Sequence, residues 1–580
     1  MTRIVRAAFL VSVCGVASSI VMQAQFGGRD WTTSQYDAQR TAWVRTDARL
    51  TKDAVAKGTF EFLWKAKFDN EARQLNSLTQ PVLQDLLIGY RGFKTLAFVG
   101  GSADRLFSID TDLARPYWTV HLNYSAATGG EPPSTPECPG GLTAAPSRRT
   151  PLVPSSFTGG FGGGGQKATS AVGEPGKGAA VLSQTQPRRT GGPPAAPPSG
   201  DVAPAAARPS AIAPVGFGGV DPLYVLASDG FLRTLRVSDG AETAPRVTFL
   251  PPSARASSLI WVDGLVYATT SHGCGATPNA VWALDLTAEE KKPVVWETGG
   301  AGVAGTAGPA FGSDGTLYVA LGAATPSSPA PATNGQMPAR LSNAVVALDR
   351  RTLKPKDWFT ADGADFNVTP MVIRLKDRDL VAAAGNDGRL YLLDGKSLGG
   401  ADHKTPLHVT PKYTAAGAGA ALATWEDGGT RWILAPAVGA VPAGVKFAAA
   451  GLPAARGSLV AFKLVGEGGA ITLEPGWQSR DLVSPLGPVV VNGMVLAVSS
   501  GEFRGAPAAA NAAPLTAAQR AKQSVPAVLY VLDGATGKQL WSSGTTITSF
   551  ARAGLAAGGG QVYVVTYDNH LYAFGIPMEH

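Results

Sequence analysis

The sequence predicts an all-β protein: an eight-bladed β-propeller of four-stranded antiparallel blades, its ring closed by an N-terminal strand. Three observations lead there. First, one unit recurs along the chain: an alternating strand ending in Leu-Asp, a tight turn, and a strand carrying Trp. Period-2 apolar patterning of this kind belongs to half-buried strands and not to helices. Second, with the Asp position as marker, the copies fall at 110, 236, 285, 349, 394, 463, 533 and 575, and the shortest intervals are 42, 45 and 49 residues. A four-stranded blade takes roughly 40–50 residues. Third, Asp/Asn-Gly or Gly-Gly pairs punctuate the copies, among them Asp263-Gly264, Asp387-Gly388 and Asn492-Gly493. Such pairs suit hairpin turns whose residues need positive φ.

Taken in order, residues 1–24 read as an export signal. Arg3 and Arg6 supply the positive region, residues 7–22 are apolar or small, and Met22-Gln23-Ala24 offers a cleavage end. No later stretch reaches the ~18 uninterrupted apolar residues of a membrane span. Residues 25–59 form a lead-in, and the propeller runs over 60–577. Phe60-Glu61-Phe62-Leu63-Trp64 is an outer strand without a blade of its own. Leu106 to Asp110 leads to Trp118; Leu232 to Arg236 is a weak copy, and seven blades is the alternative if it is misread. Val281 to Asp285 leads to Trp296, and Val345 to Asp349 to Trp358. Leu390 to Asp394 keeps the strand without the Trp. Leu459 to Lys463 replaces the Asp and later reaches Trp477. The fullest copy runs from Leu529 through Asp533 to Trp541. The last, Leu571 to Gly575, has no Trp strand behind it. Pairing it with residues 60–64 completes the eighth blade and limits exposed sheet edges.

Extra length falls between second and third strands, at about 270–280, 322–343, 438–457 and 499–526. With the link at 121–141, these loops emerge on one face, the usual place for recognition on a rigid scaffold. The insert at about 154–220 has very few aromatic or large aliphatic residues, so it is expected to be disordered. Net charge is +7, from 50 Lys+Arg against 43 Asp+Glu, with no run of five or more like charges, which argues against a basic nucleic-acid stripe.

Once the signal is removed, two cysteines remain, Cys138 and Cys274. In an exported chain they favour one disulfide; two unpaired thiols are the alternative. His272 lies in the same loop as Cys274, where a metal or a Cys–His nucleophile pair is conceivable. The disulfide competes with that reading, because an oxidised Cys is no nucleophile. The six histidines show no paired-ligand spacing, so no metal site is assigned.

The unit around 529–541, with its Asp, Thr-Gly and Trp, resembles the pyrroloquinoline-quinone (PQQ)-binding-like, or quinoprotein alcohol dehydrogenase-like, β-propeller repeat. The lead-in from Asp30-Trp31 to Leu63-Trp64 is similar to that of the same family. The resemblance implies that Trp64, Trp118, Trp296, Trp358, Trp477 and Trp541 dock blade on blade. It also implies two functional groups: PQQ- and calcium-dependent alcohol or sugar dehydrogenases, and non-catalytic propellers. The large dehydrogenases carry a disulfide between adjacent cysteines, and the haem-bearing ones Cys-x-x-Cys-His; this chain has neither. No calcium constellation or catalytic residue stands out. The expectation is therefore a periplasmic or secreted, non-catalytic binding or scaffold module. Its loop-rich face takes a protein, polysaccharide or small ligand. A quinoprotein dehydrogenase with an atypical site is the alternative.

Overall fold

The computed structural model describes residues 30–89, 92–122, 134–152, 221–324, 341–451, 453–466, 470–505 and 515–577. The expected signal (1–24) and low-complexity insert (154–220) lie outside the described residues. Within them eight antiparallel sheets follow one another.

Blade 1 consists of Val82–Gly89, Gly92–Gly101, Arg105–Asp110 and Arg115–His121. Blade 3 consists of Ile260–Val262, Leu265–Thr270, Ala280–Asp285 and Val294–Glu297. Blades 4 to 7 repeat this order over residues 301–360, 371–409, 423–478 and 489–542. Blade 2 is the irregular one. Leu223–Leu226, Phe231–Leu235 and Val247–Thr248 are its outer three strands, and its inner strand is reduced to a single bridge between Ser147 and Tyr224. The weak copy near Arg236 is therefore a real blade, and the seven-bladed alternative falls. Blade 8 closes the ring: Glu61–Lys67 pairs antiparallel with His570–Gly575, Phe62 opposite Phe574.

The marker Asp has a local cause. Asp533 accepts hydrogen bonds on Oδ1 from the Thr536 amide and hydroxyl, at 2.9 and 2.8 Å. Asp349 does the same for Thr352, and Asp285 for Thr287. The carboxylate thus replaces backbone partners where the third strand turns into the fourth.

The channel at the propeller axis is not open. The lead-in fills it, and residues 31–47 meet the blades one after another in chain order. The Trp31 carbonyl accepts from the Leu83 amide of blade 1 at 2.9 Å, and the Thr32 carbonyl from Arg148 of blade 2 at 2.8 Å. The Thr33 hydroxyl donates to the Leu259 carbonyl at the head of blade 3. Carbonyls of Ala38, Gln39, Thr41 and Ala42 then accept from Phe311, Val372, Thr424 and Val490, in blades 4 to 7. Asp47 completes the circuit on the Gly560 amide of blade 8, 3.0 Å away. Gln35, Tyr36, Arg40 and Ala42 all take positive φ. Left-handed non-glycine residues persist only where the surroundings over-determine them, and here one segment is tied to eight sheets.

Among the described residues two short α-helices, Lys52–Ala56 and Ala517–Gln523, interrupt the β structure. Among the described residues no helix is long and apolar enough to cross a membrane.

Candidate functional site

Each of the six tryptophans lies on the outer strand of a blade. Trp118 of blade 1 donates from Nε1 to the Val237 carbonyl of blade 2 at 2.9 Å. Trp477 of blade 6 donates to the Gly534 carbonyl of blade 7 at 2.8 Å, and Gly537 lies under its ring where a Cβ would collide. Trp64 reaches the Thr111 carbonyl of blade 1 at 3.1 Å. Trp541 packs edge-on to Phe60 and Phe574 at the closure, and Trp358 stacks on His403 of blade 5 at 3.6 Å between centroids. Trp296 packs on the core shared by blades 3 and 4. The indole N–H groups of Trp64, Trp118 and Trp477 are spent on neighbouring blades, and the ring faces of the others pack at blade boundaries.

Cys138 and Cys274 form a disulfide between residues 136 positions apart. The Cys–His nucleophile reading ends there, since the sulfur is oxidised. The bridge ties the link between blades 1 and 2 to the blade 3 loop. Beside it the Arg255 guanidinium donates to the Glu137 carbonyl at 2.7 Å. His272 stands 3.5 Å from Arg255, and burial together with that cation holds its imidazole below the ordinary value. Closing so long a loop restricts the unfolded chain, so reduction is expected to cost about 2–4 kcal/mol. Calorimetry with and without reductant reads this directly; an unchanged midpoint in a demonstrably reduced sample would contradict it.

Above the plugged channel the inter-blade links converge into a funnel. Its wall takes one link from each blade boundary, within residues 75–80, 136–145, 255–258, 305–307, 367–369, 418–421, 486–488 and 552–554. Its floor is the lead-in at Trp31, Ser34, Gln35 and Ala42. Two recesses of about 200 and 250 Å³ adjoin there and share Ser34, Gln80, Thr306, Arg552 and Gly554.

The charge of this lining is one-sided. Arg255 and Arg552 face the first recess, Arg504 and Arg552 the second, and among the described residues no carboxylate lines either. Behind them sits Glu502, wholly buried, with Arg504, Arg520 and Arg552 at 2.9, 2.7 and 3.0 Å from its oxygens. Burial alone would raise the Glu502 carboxyl; Arg552 and Arg504, with Arg520 behind them, overcome it and hold it below the ordinary glutamate value. Burial lowers Arg552, which Glu502 opposes, and burial and Arg552 together lower Arg255. Glu502 and Arg504 belong to the long blade 7 insert, whose helix Ala517–Gln523 supplies Arg520. Sequence reasoning located the insert and missed the cluster, because its four charges are scattered over 50 positions between 502 and 552.

A calcium-held quinone can be tested against these residues. Calcium requires several converging oxygens, carboxylates foremost. Among the described residues two carboxylates stand near the funnel, Glu502 saturated by three guanidiniums and Glu137 beside Arg255, and the charges of the lining itself are cations that repel a metal. Among the described residues no three His, Cys, Asp or Glu side chains gather to hold a metal ion. The residues present do not fit that group.

No known family profile and no curated protein sequence matches the chain. Solved structures do. Quinohemoprotein alcohol dehydrogenase from Comamonas testosteroni aligns at TM-score 0.51 and 13% identity, over 95% of this chain and 81% of that one. A europium-containing methanol dehydrogenase aligns at TM-score 0.53 and 9% identity, over 96% and 100%. BamB from Moraxella catarrhalis aligns at 0.43 and 10%, over 90% and 99%, and no argument rests on it. The fold is therefore that of the eight-bladed PQQ-like propellers. At these identities the likeness covers the fold alone, and function has to be argued from the site.

Proposed function

We propose that this chain is an exported, non-catalytic binding propeller that engages its partner at the funnel and the loops around it. The observation that carries this reading is the funnel lining, which among the described residues holds three guanidiniums and many hydroxyl and amide side chains, with no carboxylate or imidazole in it. General acid–base or metal-assisted oxidation needs a positioned proton acceptor, whereas recognition needs only fixed donors on a rigid frame. Export is supported by the positive, apolar and small-residue pattern of residues 1–24 and by a disulfide that suits an oxidising compartment.

The test is reconstitution with PQQ and calcium, followed by dye reduction with alcohols and sugars. The expected result is a rate no greater than the protein-free blank; substrate-dependent turnover would replace this reading with the dehydrogenase one. Export is checked by sequencing the mature N-terminus, expected to begin at Gln25.

A further inference from the structure

We propose that the funnel binds a small aliphatic dicarboxylate, one carboxylate in each recess, with Arg552 between them. This rests on the reading of the chain as a binding propeller and names its ligand class.

The charge count comes first. Four guanidiniums, those of Arg255, Arg504, Arg520 and Arg552, stand at the funnel against two carboxylates, those of Glu502 and Glu137. The excess is two positive charges in a partly desolvated hollow, where unbalanced like charges repel strongly. A ligand with two negative charges balances them.

The placement of the arginines divides that charge. Arg255 lines only the first recess, Arg504 only the second, and Arg552 both. Each of the three is already oriented by a carbonyl. Arg255 donates to Glu137 at 2.7 Å, Arg504 to Gly419 at 2.9 Å and Arg552 to Leu75 at 2.9 Å. Guanidiniums anchored in this way lose little freedom when they take a carboxylate.

The floor points to a ligand independently. Trp31 is wholly buried and Gln35 is 6% exposed, and both line the second recess. The Trp31 Nε1 has no hydrogen-bond partner. Buried polar atoms without partners are rare and costly, and a carboxylate that reaches it supplies an acceptor for the indole N–H. The walls add the hydroxyls of Thr79, Ser258 and Thr306, whereas those of Ser34 and Ser77 already donate to Ser258 and Tyr567.

Titration calorimetry of the full mature protein tests the proposal with three probes of similar length: succinate, butyrate and succinamide. Succinate is expected to bind at least about tenfold more tightly than butyrate, and succinamide more weakly still, since a charge-assisted hydrogen bond contributes more than a tenfold factor. Arg255→Gln leaves the Glu502 cluster intact and is expected to lower succinate affinity by about tenfold or more. The comparison among probes on the unaltered protein does not depend on that variant folding. Succinate binding no tighter than butyrate, or giving no heat at millimolar concentration, overturns the proposal. Either result leaves the dye-reduction outcome untouched, so the ligand class and the non-catalytic reading fail separately.

Discussion

Replacing Arg40 with alanine is expected to destabilise the propeller by about 3–5 kcal/mol, from the loss of its charge-assisted hydrogen bonds, about 1.5–3 kcal/mol each, and the void left in the core. Arg40 is wholly buried at the axis. Its Nε donates to the Pro309 carbonyl of the blade 3 to blade 4 link at 2.9 Å; its Nη1 donates to the Thr33 hydroxyl and the Ser34 carbonyl at 3.0 and 2.7 Å. One planar fork thus holds the first half of the lead-in onto the second and both onto the blades. Truncation orphans three acceptors and opens a void in the plug. Burial already pushes the guanidinium down to about 9, with Asp37 opposing, so it remains charged at neutral pH. Arg40→Lys should recover only part of the loss, because a single ammonium cannot reach acceptors spread in a plane. Urea unfolding followed by tryptophan fluorescence is the measurement. An alanine variant with an unchanged midpoint would mean that the plug hangs on the ring and does not hold it.

That plug was the least legible part of the fold. A strand shows itself in sequence by alternation because one face is buried against a sheet. Residues 31–47 lie along an axis and meet a new blade every few positions, so no period exists to be read. Their left-handed residues include Tyr36 and Ala42, which carry no turn signal. The third strands were legible for the opposite reason. Val528–Asp533 and its counterparts are buried on both faces and end in an Asp whose turn is chemically specified. The ring closure was legible because an unpaired outer strand at 60–64 and a blade lacking one at 571–575 complete each other. The inner strands fell between these cases. Ala310–Phe311 and Ala556–Gly558 span only two or three residues, too few for a pattern. Of the funnel, the sequence showed the blade 7 insert that supplies Arg504 and the link at 121–141 that carries Cys138; the loops at 270–280 and 438–457 do not line it. The arginines could not be grouped, because Arg255 and Arg552 come from two different links and Arg504 and Arg520 from the blade 7 insert, and no sequence pattern joins them.

Replacing Glu502 with glutamine removes one charge without changing shape, and the expected effect is of the same size as that of Arg40→Ala. Glu502 is fully buried and is the shared counter-charge of three guanidiniums that otherwise face one another. The amide can still accept hydrogen bonds, but it leaves the cations unbalanced, a loss of about 3–5 kcal/mol for a buried ion network. The helix Ala517–Gln523 is held to the blade partly through Arg520, so the blade 7 insert should become the first site of proteolysis. The pH dependence distinguishes charge from packing. The folded carboxyl lies below its ordinary value of 4.5. Its stabilisation is therefore complete above that value and drains as the pH falls through the lower, folded one. The unaltered protein should lose stability along that acid limb, and the glutamine variant, already without the charge, should lose less. Parallel acid limbs in the two proteins would show that Glu502 serves only to fill space, and that the arginines at the funnel need no counter-charge from within the fold.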